Sequence, residues 1–65
     1  MTYMYEFKVT YASGRGWDTY DLVVAPTTDM AESLIRQRGF APKGVNLLGA
    51  VGNWRVPSVN GKPVA

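Results

Sequence analysis

The sequence predicts an α+β domain: an antiparallel sheet of three to four strands with one helix packed on one face, in the order ββαβ(β). Three observations carry this expectation. Two stretches of apolar alternation, near 3–11 and 19–24, flank a glycine-containing turn. A stripe with helical spacing follows Pro26. Two turn dipeptides, Gly52-Asn53 and Asn60-Gly61, punctuate the remainder.

The first strand rests on Tyr3, Tyr5, Phe7, Val9 and Tyr11, which alternate with mostly polar neighbours and are aromatic or β-branched. In the second, Tyr20, Leu22 and Val24 alternate with Thr19, Asp21 and Val23. Ser13-Gly-Arg-Gly16 joins them as a β-hairpin loop, because glycine reaches positive φ without steric cost. Pro26 ends the second strand, since it has no N–H for a ladder. Thr27 or Thr28 caps the helix, and Asp29 lies near the positive end of its dipole. Met30, Ala31, Leu34 and Ile35 form the buried face of about ten helical residues. Arg36 and Arg38 suit the negative end of the dipole, Gly39 is a natural residue just past the helix, and Phe40 covers the last turn. Pro42-Lys43-Gly44 then turns the chain into a strand over Val45–Val51. Gly52-Asn53 reads as a two-residue hairpin into a strand Trp54-Arg55-Val56, which Pro57 ends or confines to an edge. Asn60-Gly61 is a further turn, before a tail that either pairs or frays.

Residues 1–65 form a single small domain, a size that buries only about 60% of the unfolded surface. Disulfides or a metal commonly compensate. Here there is no cysteine and no histidine, and the five acids are scattered, so neither a metal nor another cofactor is expected. Apolar content of 46% and aromatic content of 12% are those of an ordered globule. No apolar run approaches the about 18 residues of a membrane span, and the first twenty residues lack a signal h-region, which predicts an intracellular site.

Catalysis is not expected, since the commonest general base and the best nucleophile are both absent. Asp18 and Asp21, three apart on a strand, point to opposite faces. Ser13, Ser33 and Ser58 have no base in view. Gly14-Arg15-Gly16 suggests a phosphate cradle, yet such a cradle follows a strand and opens a helix, whereas a strand follows here. The glycines therefore read as turn residues, with Arg15 and Trp17 still able to touch an anionic partner at the tip.

The net charge of +2 is unevenly laid out. Residues 1–32 hold five acids against Lys8 and Arg15; residues 33–65 hold Arg36, Arg38, Lys43, Arg55 and Lys62 with no acid. Either the fold mixes the halves on one surface, or a basic face meets phosphate or an acidic protein patch. Arg36, Arg38 and Lys43 are candidate contacts by the same logic, set against a merely solvated helix end. Trp54 with Arg55 either closes the rim of the core or forms a partner hot spot. An aromatic stacking platform of Tyr3, Tyr5, Phe7, Tyr11 and Tyr20 competes with a core role. The pattern favours the core, because these residues share faces with Val9, Leu22 and Val24, assigned to cover the helix. Exposed edge strands, that of Trp54 included, leave room for a homodimer.

At Ala25-Pro-Thr-Thr-Asp-Met-Ala31, Gly52-Asn-Trp54 and Asn60-Gly-Lys62, over roughly residues 20–62, the chain resembles small inhibitors carried by bacteriophages and mobile elements. The likeness is to short type I-F anti-CRISPR proteins built as a helix against a curved antiparallel sheet. It implies a non-enzymatic inhibitor in the host bacterial cytoplasm that binds a CRISPR effector complex and sterically blocks recognition of target DNA. The basic helix end and the tryptophan strand are the contacts it implies. A pI near 9.2 disfavours DNA mimicry and favours an acidic or RNA-lined surface. The helix entry and Pro42-Lys43-Gly44 also resemble the phage inhibitor of bacterial RNA polymerase. The arginines of that inhibitor's last strand, however, fall on Gly49 and Val51 here. The other alternative is a small basic nucleic-acid-binding module using the C-terminal half directly.

Overall fold

A computed structural model describes residues 2–64. The elements are β1 (Met4–Ala12), β2 (Asp18–Ala25), α1 (Thr28–Gln37), β3 (Pro42–Gly52), β4 (Ser58–Val59) and β5 (Lys62–Pro63). They build an α+β fold with a five-stranded antiparallel sheet in the order β3-β1-β2-β4-β5 and the helix on one face. Among the described residues no helix is long and apolar enough to cross a membrane.

The β1–β2 hairpin fixes which side chains face the helix. Its register pairs Tyr5 with Ala25, Phe7 with Val23, Val9 with Asp21 and Tyr11 with Thr19. Directly opposed residues of an antiparallel pair share a face. The core therefore gathers Phe7, Val9, Tyr11, Val23 and Ala25 against Ala31, Leu34 and Ile35 of α1. This corrects the expectation for β2: Tyr20, Leu22 and Val24 lie on the other face, and Tyr20 is 52% exposed. The run Leu22-Val-Val-Ala25 is apolar in both phases, so alternation alone could not choose between them. Val24 is nonetheless buried, opposite Ser58 of β4.

The helix begins and ends on side-chain and backbone chemistry. The Thr27 hydroxyl accepts a hydrogen bond from the Met30 N–H at 3.1 Å. At the other end Gly39 takes φ 93°, its N–H bonds the Arg36 carbonyl, and the Phe40 N–H bonds the Ile35 carbonyl. That is a Schellman ending, which lays Phe40 back on Tyr11 with ring centroids 4.5 Å apart. Met30, expected on the buried face, is exposed; the buried stripe is the narrower set Ala31, Leu34 and Ile35.

β3 is longer than expected, running from Pro42 through Gly52 along the outer side of β1. Its register shifts three times, once at Leu48, where the partner jumps from Gly49 opposite Glu6 to Leu47 opposite Phe7. The predicted hairpin at Gly52-Asn53 and the strand Trp54-Arg55-Val56 do not form. Residues 53–57 instead cross the end of the sheet to β4, which pairs with β2. That route buries Val59 beside Val23 and covers the β2 edge at Val23 and Val24, a gain that a hairpin on the outside of β3 would lack. Asn60 and Gly61, at φ 52° and 79°, then turn the chain into β5, so the tail pairs.

Asn60 also ties this last hairpin to β2. Its N–H donates to the Leu22 carbonyl at 2.7 Å, and its Oδ1 accepts from the Leu22 N–H at 3.1 Å. Its Nδ2 donates to Asp21 Oδ1 at 3.0 Å. Asp21 is buried on the helix face, and its Oδ2 faces the Arg38 guanidinium just past the helix end. A carboxylate in that position requires a cation, and the helix terminus supplies it.

Candidate functional site

The β1–β2 loop is built rigidly from Ser13. Its N–H bonds the Trp17 carbonyl at 3.0 Å, and its hydroxyl donates to the same oxygen at 2.8 Å. The hydroxyl oxygen accepts from the Arg15 N–H at 3.1 Å. Gly14 and Gly16, at φ 83° and 100°, permit the reversal. The Arg15 amide is thus engaged within the loop, and β2 rather than a helix follows, so the loop is a hairpin turn and lacks the form of a phosphate cradle.

What the loop presents is its side chains. Trp17 is 56% exposed. With Tyr11, Ser13, Arg15, Thr19 and Phe40 it lines an open cleft of about 280 Å³ on the helix side of the sheet. Tyr11 and Phe40 form an aromatic floor, and the Arg38 guanidinium carbon lies 5.7 Å from the Phe40 ring centroid. Tyr11 is itself buried, so the exposed Trp17 ring is the surface that can take a flat group, with Arg15 beside it for an anion.

The candidate cations separate by what they already touch. Arg36 pairs with Glu32 one turn back at 3.7 Å, Arg38 with Asp21, and Lys43 with Asp18 at 2.9 and 3.0 Å. The expected basic helix end is therefore largely met from within. Among the described residues Arg15 and Arg55 have no carboxylate at ion-pair distance. Lys8 stands over the Tyr20 ring, 4.6 Å from its centroid, on the helix-free face.

The two tryptophans do not share a surface. Tyr11 pairs with Pro42 at one end of β1, whereas Met4 pairs with Gly52 at the other. Nine strand residues span about 30 Å. Arg15 and Trp17 thus occupy one end of a molecule 40 Å long, and Trp54 and Arg55 the other. Trp54 is 77% exposed, its ring lying close against Gly52, where a Cβ would meet ring atoms at 3.4 Å.

Phe40 enters the site as a residue the sequence assigned to covering the last helical turn, and Tyr11 as one weighed for a stacking platform and then given to the core. The available signal was position: Phe40 follows a Schellman glycine, which returns it to the last turn and to the strand beneath. Among the described residues no group of three or more acidic side chains converges as a metal site. No family model, curated protein or solved structure matches this chain.

Proposed function

We propose that this chain is a non-enzymatic binding protein that sets its hairpin end against an RNA-lined or acidic surface of a larger bacterial nucleoprotein complex and blocks it sterically, in the host cytoplasm. The observation carrying this reading is the convergence of Arg15, without a carboxylate partner among the described residues, and exposed Trp17 on a rigid loop. Tryptophan and arginine are the residue types that dominate binding hot spots. At that end Arg36, Arg38 and Lys43 are paired with Glu32, Asp21 and Asp18, which leaves Arg15 as the unmatched positive charge there among the described residues.

The proposed partner is a CRISPR effector complex of type I-F. That specific choice rests on the sequence resemblance at the helix entry and at Asn60-Gly-Lys62, since the glycine turn and tryptophan strand of the resemblance do not form here; the hairpin end supplies a contact suited to it. A basic binding end favours occupying the RNA or an acidic groove over imitating DNA. The test is capture of the purified effector complex by the tagged chain, with a mobility shift of target DNA as the readout. The expected result is capture together with loss of the DNA shift. An effector that is not captured and binds target DNA as before overturns the inhibitor reading.

The cleft lined by Tyr11, Trp17 and Phe40 favours one second reading, direct binding of single-stranded nucleic acid. Salt separates the two. Binding of free oligonucleotide that falls steeply with salt supports the second, and its absence at moderate salt leaves the protein complex as the partner.

A further inference from the structure

The two borders of the sheet are unlike. β5 is two residues long and consists of Lys62 and Pro63, each a feature that discourages further pairing. β3 is 11 residues long, and among the described residues no strand lies on its outer side. Pro42 and Lys43 occupy its first two positions; from Gly44 through Gly52 it has neither charge nor proline. Leu47 and Leu48, near its middle, are 62% and 50% exposed. A long uncharged edge with apolar side chains at its centre is a template for another strand. The run Gly44–Leu47 keeps an unbroken register with β1, so its outward N–H and C=O groups retain regular strand spacing.

We infer that β3 pairs antiparallel with β3 of a second copy of this chain, about a two-fold axis normal to the sheet at Asn46. The symmetry fits the side chains. Within the unbroken run, residues whose numbers are equally spaced about 46 oppose one another, so Val45 meets Leu47 of the second copy on both sides of the axis. Apolar cross-strand pairs of this kind stabilise a sheet. Lys43, the strand's lone charge, lies outside this run and pairs with Asp18 of its own chain, so no like charges face each other across the axis. Both helices stay on one face, and the result is a continuous ten-stranded sheet.

The pairing also has a consequence for the contact surface. An antiparallel two-fold sets the Pro42 end of one β3 beside the Gly52 end of the other. Arg15 and Trp17 of one copy then lie at the same end of the assembly as Trp54 and Arg55 of the second. The two groups that one chain holds at opposite ends then share one end of the assembly. This consequence rests on the proposed binding role; the pairing itself does not.

Sedimentation equilibrium over a wide concentration range tests the pairing, reading mass rather than binding, so its failure leaves the hairpin contact untouched. The expected species has twice the chain mass of 7.2 kDa. Leu47→Lys replaces an exposed apolar contact and brings like charges to diagonal positions across the axis; it raises the dimer dissociation constant about tenfold or more. Circular dichroism checks that this variant remains folded. Because the chain has no cysteine, Asn46→Cys offers a second readout. The two axial positions face each other within disulfide reach and cross-link under mild oxidation, whereas Thr28→Cys on the exposed helix start does not. A monomer at every concentration, open-ended association, an unaffected Leu47→Lys dimer, or Asn46→Cys cross-linking no faster than Thr28→Cys overturns the inference.

Discussion

Arg38 and Gly52 show how single residues set what the surface can offer. Arg38 stands at a helix end, where a cation reads from sequence as a contact for an external anion. Its guanidinium instead meets Asp21, a carboxylate buried beneath the helix. Arg38→Ala would leave that carboxylate buried with only Asn60 as a polar partner, at a cost of about 2 kcal/mol, to be read in denaturant melts. Gly52 combines φ 107° with the close approach of the Trp54 ring. Gly52→Ala strains the backbone by about 1 kcal/mol or more and disturbs the ring's seat, observable as a shift in Trp54 emission in a Trp17→Phe background. The glycine reversals at 14, 16, 39 and 61 were legible because sequence shows where a chain must turn. The Asp21–Arg38 pair was not, since it depends on the phase of β2, which Leu22-Val-Val-Ala25 leaves open.

At the level of elements, the hairpin and helix followed from local chemistry. Alternation drew β1 and β2, Pro26 and Thr27 opened the helix, and Gly39 closed it. Thr27→Ala removes the cap bond to Met30 and costs about 1 kcal/mol. In a domain of this size the loss lowers Tm by about 4–8 °C, measured by thermal melts. Beyond residue 52 the local signals misled. Gly-Asn resembles a hairpin turn, and Trp54 and Val56 resemble a strand, yet residues 53–57 carry the chain across the sheet end. What decides is a long-range term: Val59 is buried when β4 joins β2. No window of sequence contains both partners. The candidate site divided the same way, with the exposed hairpin tip foreseen from its turn and the aromatic floor of Tyr11 and Phe40 revealed only by packing.

For the molecule as a whole, ion pairing decides which cations stay without a carboxylate partner. The sequence halves carry opposite charge, but the fold sets Asp18 and Asp21 of the acidic half against Lys43 and Arg38 of the basic half. At the hairpin end this leaves Arg15 without a carboxylate partner among the described residues, beside Trp17. Affinity for the purified type I-F effector complex, compared for the wild type, an Arg15→Ala/Trp17→Ala variant and a Trp54→Ala/Arg55→Ala variant, tests this most directly. Loss of two hot-spot side chains, each worth about 2 kcal/mol, predicts a drop of roughly a thousandfold for the hairpin variant, with its fold intact. A smaller loss is predicted for the Trp54 variant. A hairpin variant that binds the complex as tightly as the wild type would contradict the account.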